Sequence, residues 1–252
     1  MGSVEAEIDD SVVTLLLNNP AQRNAIDDGL REDLLENLRR YTSVRSVRSI
    51  VIAGCNAIFC AGGELRGMPT EPDRIAHRLG QMHEIIRLIH AGAKPVLVAV
   101  EGVAFGSGLS IVTGADFVIA ASDARFGCTF QKVGLVADTG LHATLPLRVG
   151  PSAARRILLH SEILDAGTAL ESGLVDQLVE PGSALSDARA AAARWKSTAP
   201  LALAATKRMN SYRLENCLGA EMAEQTALLA SHDFAEGRRA FLEQRTPQFL
   251  GR

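Results

Sequence analysis

Apolar residues follow two different periods along this chain. Short, β-branched runs without helical spacing stand at residues 12–17 (VVTLLL), 49–53 (SIVIA), 96–100 (VLVAV) and 116–120 (DFVIA), and each reads as a strand buried on both faces. Residues 4–8 meet the first of these across Asp9-Asp10-Ser11, which predicts a β-hairpin. Between the strands the period becomes helical. Leu30, Leu34, Leu35 and Leu38 share a face behind Asp27 or Asp28 as helix cap, and a second helix is expected over 75–90. Strands alternating with helices predict an α/β fold with a parallel sheet and crossover helices.

Further on, 124–126 reads as a short strand, 127–138 as mostly loop, 140–148, 152–159 and 166–172 as helices, and 174–179 as a strand. Beyond Ser183 the pattern is helix after helix, over 184–197, 200–212, 218–231 and 233–244. This change divides the chain into a strand-and-helix core, 1–195, and a helical C-terminal region, 196–252.

Composition narrows the function. Hydrophobic residues are 47% and charged residues 22% of 252, ordinary for one globular unit with a sizeable core. A net charge of −3 without a basic stripe argues against nucleic acid or a membrane surface as partner. No run reaches the roughly 18 apolar residues of a membrane span, and the acidic start MGSVEAEIDD is no signal peptide, so a cytoplasmic protein is expected. Cys55, Cys60, Cys128 and Cys217 lack metal-site spacing and read as small apolar residues in a reducing compartment, with no metal.

Candidate chemistry lies in two glycine loops. Strand 96–100 empties through Gly102, Gly106 and Gly108 into an apolar helix, and strand 49–53 leads to Phe59-Cys60-Ala61-Gly62-Gly63. Carried by neighbouring strands, the loops could aim one backbone N–H each at a single oxygen, an oxyanion hole. The plainer reading is a pair of tight turns. Familiar alternatives fail on spacing. Ile111 stands where a dinucleotide site needs its third glycine, no lysine follows for a phosphate loop, and Phe105 and Leu109 flank Ser107 where a nucleophile elbow needs glycines.

FCAGGEL at 59–65, EGVAFGSGLSIVTGADFVIA at 101–120, ARFGCTFQKVGLVADTG at 124–140, LPLRVG at 145–150 and EGRRAFLEQRTPQFLGR at 236–252 together resemble the crotonase, or enoyl-CoA hydratase/isomerase, family. The resemblance begins at NPAQRNAI and runs to the last residue. It implies an α/β spiral of repeated β-β-α units with C-terminal helices that build a homotrimer, in some members a dimer of trimers. It also implies acyl-CoA thioesters as substrates, coenzyme A being part of the substrate and no separate cofactor being needed. By resemblance the oxyanion donors are the N–H groups of Gly63 and Ser107. Arg23, Ala25, Ala61, Gly63 and Leu65 fall at coenzyme A-lining positions, and Phe241 matches an aromatic that reaches a neighbouring subunit's coenzyme A. Gln244 stands where several members carry a phosphate-binding lysine, with Arg245 adjacent as its possible substitute.

The reaction turns on carboxylates. Hydratases of the family use two glutamates, and the matching positions here hold Ser110 and Phe130. A third acidic position of the family is occupied by Asp138, used in isomerases as a proton shuttle and in a dehalogenase branch as a nucleophile. On residues alone, Asp138 also reads as a cap for the helix near Gly140. The expected function is an acyl-CoA isomerase that moves a 3-enoyl double bond to the 2-position through Asp138, with Phe105, Phe130 and Val133 supplying a dry pocket. A hydrolase, a dehalogenase, a nominal hydratase and a non-catalytic acyl-CoA-binding protein remain alternatives. His77, His83 and His90 read as packing or surface residues in the absence of an acidic cluster. His142 is a possible partner for Asp138, Glu64 reads as structural, Glu84 is another acid near the pocket, and Cys128 is a possible pocket wall.

Overall fold

The computed structural model describes residues 1–252. β1 (Ser3–Asp9) and β2 (Val12–Asn18) form the antiparallel hairpin, closed by a turn in which Asp10 takes φ 50°. α1 (Asp28–Ser43) follows, with Asp27 as its cap: the carboxylate accepts from the Leu30 N–H at 2.9 Å. Then come β3 (Ser49–Gly54), α2 (Pro72–His90), β4 (Val96–Val100), β5 (Val103–Phe105), α3 (Ser107–Gly114), β6 (Phe117–Ala121) and β7 (Arg125–Gly127). A 3-10 turn over Phe130–Val133 precedes α4 (Leu141–Val149), α5 (Pro151–His160), β8 (Ile163–Asp165), α6 (Ala166–Glu171) and β9 (Gln177–Val179). The remaining helices are α7 (Ala184–Ala193), α8 (Pro200–Asn210), α9 (Leu214–Leu229) and α10 (His232–Glu243).

The larger sheet runs β1-β2-β3-β4-β6-β9, parallel from β2 onward, and the smaller runs β5-β7-β8. Successive turns of chain send one strand to each sheet before a helix returns: β4, β5 and α3 form one such unit, and β6, β7 and α4 the next. This is the expected β-β-α spiral. Two short strands were not legible as strands: β5, inside the glycine turn, and β8. Each spans three residues and owes its extended form to partners far along the chain, Val103 pairing with Arg125 and Ile163 with Gly127. The strand expected over 174–179 is confined to Gln177–Val179, because Leu174 and Val175 instead bury their side chains in the main core.

Both faces of the larger sheet are covered, which is why its strands read as unbroken apolar runs. One face packs under α1, α2, α3 and α4 in the main core. On the other, Val51, Ala53, Leu97, Ala99 and Ile119 meet Ala184, Ala188 and Ala192, a one-face alanine stripe that lets α7 lie close. α9 packs on α2 and α4, and α10 crosses the Phe130–Val133 turn. Gly237 permits that crossing, since a Cβ there would stand 2.6 Å from the Val133 carbonyl oxygen. No helix is long and apolar enough to cross a membrane.

Candidate active site

The two glycine loops are zipped together at one point. Cys60 donates its N–H to the Val103 carbonyl and accepts from the Phe105 N–H, both at 2.9 Å, so Cys60 and Ala104 pair in parallel. Three residues beyond each member of that pair stand Gly63 and Ser107. Gly62 at φ 108° and Gly106 at φ 52° turn the two chains there, in backbone conformations that favour glycine. The Gly62 carbonyl accepts from the Ile26 N–H at 2.7 Å and the Glu64 N–H donates back to the Ile26 carbonyl at 3.1 Å, leaving the intervening Gly63 N–H facing away from Ile26. Ser107 opens α3, so its N–H lies ahead of the helical ladder, at the positive end of the dipole. A Cβ on Gly63 would lie 3.8 Å from Ser107 Oγ, which puts the two residues side by side. Such a pair can stabilise a carbonyl oxygen that gains negative charge.

Asp138 is buried, 9% exposed. Its backbone carbonyl accepts from Ser110 Oγ at 2.9 Å, which ties it to α3. The side chain does not cap α4. Gly140 is the helix cap, and the Asp138 carboxylate instead accepts from Gln225 Nε2 at 2.8 Å and from Thr139 Oγ1 at 3.0 Å. Thr139 takes φ 57°, costly for a β-branched residue, and the Thr139 bond together with a 2.9 Å bond from the Gly140 N–H to Glu221 Oε2 holds it there. Burial, then the negative charge of Glu221, pushes the Asp138 carboxyl up to about 6, while the bonds from Gln225 and Thr139 and the nearby His83 act the other way. A carboxyl so tuned can take up and release a proton near neutral pH.

Glu221, Gln225 and His83 complete this interior cluster. Glu221 Oε2 lies 3.5 Å from His83 Nε2, and Cys217 Sγ–H donates to Glu221 Oε1 at 3.3 Å. Cys217, Glu221 and Gln225 recur every four residues on α9, between the buried Leu214, Leu218 and Leu229. That polar stripe inside an apolar face is the signal by which the sequence could have disclosed them. His83 is buried, as a packing residue would be, and its acidic neighbour Glu221, unexpected from the sequence, comes from α9. His77 is exposed, and His90 Nδ1 is 3.2 Å from the Gly114 carbonyl. His142 is exposed and does not bond Asp138. Glu64 accepts from the Arg66 and Gly67 N–H groups and so holds its own turn, and Glu84 is engaged by Arg39. Burial pushes the Cys128 thiol up to about 11, far from thiolate reactivity. No group of three or more His, Cys, Asp or Glu is placed to hold a metal ion.

A groove of about 500 Å³ opens on the outer side of the Gly63 loop. Arg23, Ala25, Ala61, Gly63, Leu65 and Phe241 all line it, so the structure brings together every residue expected at a coenzyme A site. Phe241 borders the groove of its own chain, because α10 folds back and Arg238 bonds the Arg66 and Met68 carbonyls. Arg245, beside Gln244, has its guanidinium held by both Glu236 oxygens, at 2.6 and 2.9 Å, and by Glu243 at 2.6 Å. Arg66, not singled out in the sequence, joins Arg23 as a cation on the groove wall.

The sequence profile of enoyl-CoA hydratase/isomerase matches residues 7–252. The chain belongs to the enoyl-CoA hydratase/isomerase family. Members with different named reactions are comparably similar. The 1,2-epoxyphenylacetyl-CoA isomerase of Escherichia coli K12 is 32% identical over 262 residues, covering 100% of both chains. The 2,3-dehydroadipyl-CoA hydratase of the same organism is 34% identical over 245 residues, covering 96% of each. An enoyl-CoA hydratase from Mycobacterium avium subsp. paratuberculosis K-10 superposes with a TM-score of 0.89 at 28% identity, over 98% of both chains. This member of the family is thus an acyl-CoA-processing enzyme on the crotonase fold.

Proposed function

We propose that this enzyme moves a carbon–carbon double bond in an acyl-CoA thioester, from the 3- to the 2-position, with Asp138 as the only proton carrier. The observation that carries this reading is one buried carboxyl, raised to about 6, on a loop that Ser110 ties to α3, the helix opened by the Ser107 N–H. The two positions where hydratases of the family keep glutamates hold a hydroxyl bonded to the Asp138 backbone and a buried phenyl ring. Adding water calls for a base for the water and an acid for C2. A double-bond shift needs one group that does both in turn.

In the proposed reaction the thioester oxygen sits between the Gly63 and Ser107 N–H groups. Asp138 takes a proton from C2, and the electron pair moves into a dienolate whose oxygen charge those donors stabilise. Protonated Asp138 then returns the proton to C4, and the double bond closes between C2 and C3. The donors would contribute about 3 kcal/mol of barrier lowering each and the positioned base about 10²–10⁴ in rate. A homotrimer belongs to the same proposal, supported by Leu201, Met209 and Tyr212 exposing 84%, 78% and 69% of their surfaces in and just after α8.

The test is conversion of 3-enoyl-CoA thioesters of graded chain length to 2-enoyl products, together with deuterium wash-in at C2. Asp138→Asn should abolish both while leaving coenzyme A-ester binding intact. No turnover at any chain length would overturn the isomerase reading, and ligand binding without exchange would leave a binding protein in its place.

A further inference from the structure

We propose that Arg78 recognises an anionic oxygen on the acyl group, so that the preferred substrates are short acyl-CoA thioesters ending in a carboxylate and not plain alkyl chains. This deepens the reading above and rests on it, because it takes the thioester oxygen to lie at Gly63 and Ser107.

Arg78 is a buried cation with little to neutralise it. Its side chain and that of Arg31 are 10% and 3% exposed, yet both lean on the one carboxylate of Asp28, itself 45% exposed. Arg31 has the better share, with Nη1 at 2.8 Å from Asp28 Oδ1 and Nε at 2.7 Å from Gln81 Oε1. Arg78 reaches the same Asp28 oxygen only at 3.4 Å, and its other bond is 3.2 Å to the uncharged Ile26 carbonyl. Asp27, Glu32, Glu64 and Asp73 line the hollows around the two guanidiniums without bonding Arg78, so its one ion pair is the long bond to the shared Asp28, a poor match for a buried charge unless an anion completes it. Burial and then the neighbouring Arg31 lower the Arg78 pKa, but an arginine keeps its charge at neutral pH. Asp138 and Glu64 also act on it by charge. Glu64 is already occupied by the Arg66 and Gly67 N–H groups, and Asp138 by Gln225 and Thr139.

The position of Arg78 points to a substrate as the missing anion. A Cβ on Gly63 would lie 3.6 Å from Arg78 Nη2, 3.4 Å from Met68 Cε and 3.8 Å from Ser107 Oγ, so the guanidinium lies close to Gly63 and to the Ser107 side chain. Its planar fork of five N–H donors fits a carboxylate through paired bonds. A methyl-terminated chain in the same place would leave the charge unpaired and remove what water remains to it. The acyl group favoured by this arrangement is short, because Arg78 stands next to the thioester position and not at the end of a long tunnel.

Calorimetric titration of the full-length enzyme with glutaryl-CoA and with hexanoyl-CoA tests this, since both are saturated and neither turns over by a double-bond shift. The wild type should bind glutaryl-CoA about tenfold or more tightly than hexanoyl-CoA. Arg78→Met should bring the two within about twofold, chiefly by loss on glutaryl-CoA, and Arg78→Lys should keep part of the preference. Equal binding, or tighter binding of hexanoyl-CoA, by the wild type overturns the proposal without need of any variant. A preference that survives Arg78→Met overturns the role of Arg78. Absence of binding by either thioester overturns the acyl-CoA reading as well, so the two failures are distinguishable.

Discussion

Gln225 Nε2 donates to Asp138 Oδ2 at 2.8 Å, joining a C-terminal helix to the proposed base across 87 positions of sequence. The bond favours the ionised carboxylate, so its loss raises the Asp138 pKa further. Gln225→Leu should shift the acid limb of the pH–rate profile for C2 exchange to higher pH and lower the rate at neutrality by about tenfold or more. An unshifted limb would show that Gln225 serves packing alone.

The raised carboxyl of Asp138 also costs stability. The folded protein holds this proton up to about pH 6, whereas the unfolded chain releases it near the ordinary value of 3.8. Between those values the folded state binds more protons, so stability falls as pH rises through the window, and the loss is complete above it. Asp138→Asn should therefore raise the melting temperature above pH 6, by an amount equivalent to about 1–3 kcal/mol, with the gain fading toward pH 4. Thermal unfolding of both proteins across this range checks the sign. A variant less stable than the wild type at pH 8 would contradict it.

Ser107 can be separated into side chain and backbone. Ser107→Gly keeps the N–H and should retain most activity. Ser107→Pro removes the N–H at the first position of α3, where proline is tolerated, and should lower kcat by about 10²–10³ with little change in unfolding temperature. Equal activity in the two variants would exclude this N–H from the reaction.

Lys207 anchors α8 to the core. It is 5% exposed, its Nζ donates to Asp116 and to the Ile89 carbonyl at 2.8 Å, and Asp116 in turn accepts from the Val96 N–H at 2.7 Å. Lys207→Ala strands a partly buried carboxylate and should cost about 3–5 kcal/mol in urea unfolding. A loss no larger than that of an exposed ion pair would show that water readily replaces the ammonium.

Local rules made much of the architecture legible. The strands of the larger sheet announce themselves as apolar runs because both faces are covered, and α1 shows its leucine face and Asp27 cap. Gly62 and Gly106 are visible because a backbone turned to positive φ favours glycine whatever surrounds it. β5 and β8 were not visible, since three residues carry no period and become strands only by pairing with a distant segment.

The same division runs through the site. Sequence alone determined the pair of glycine loops, the absence of carboxylates at positions 110 and 130, and the presence of Asp138, since these are matters of residue type at fixed spacing. Only the tertiary structure decided what surrounds Asp138: Gln225 and Glu221 from α9, His83 from α2, and no contribution from nearby His142. It also decided that Arg245 is bound to Glu236 and Glu243 while Arg78 is left short of a counter-charge. Whether a charge is paired, and how far burial moves a pKa, depends on groups that folding brings together from remote parts of the chain.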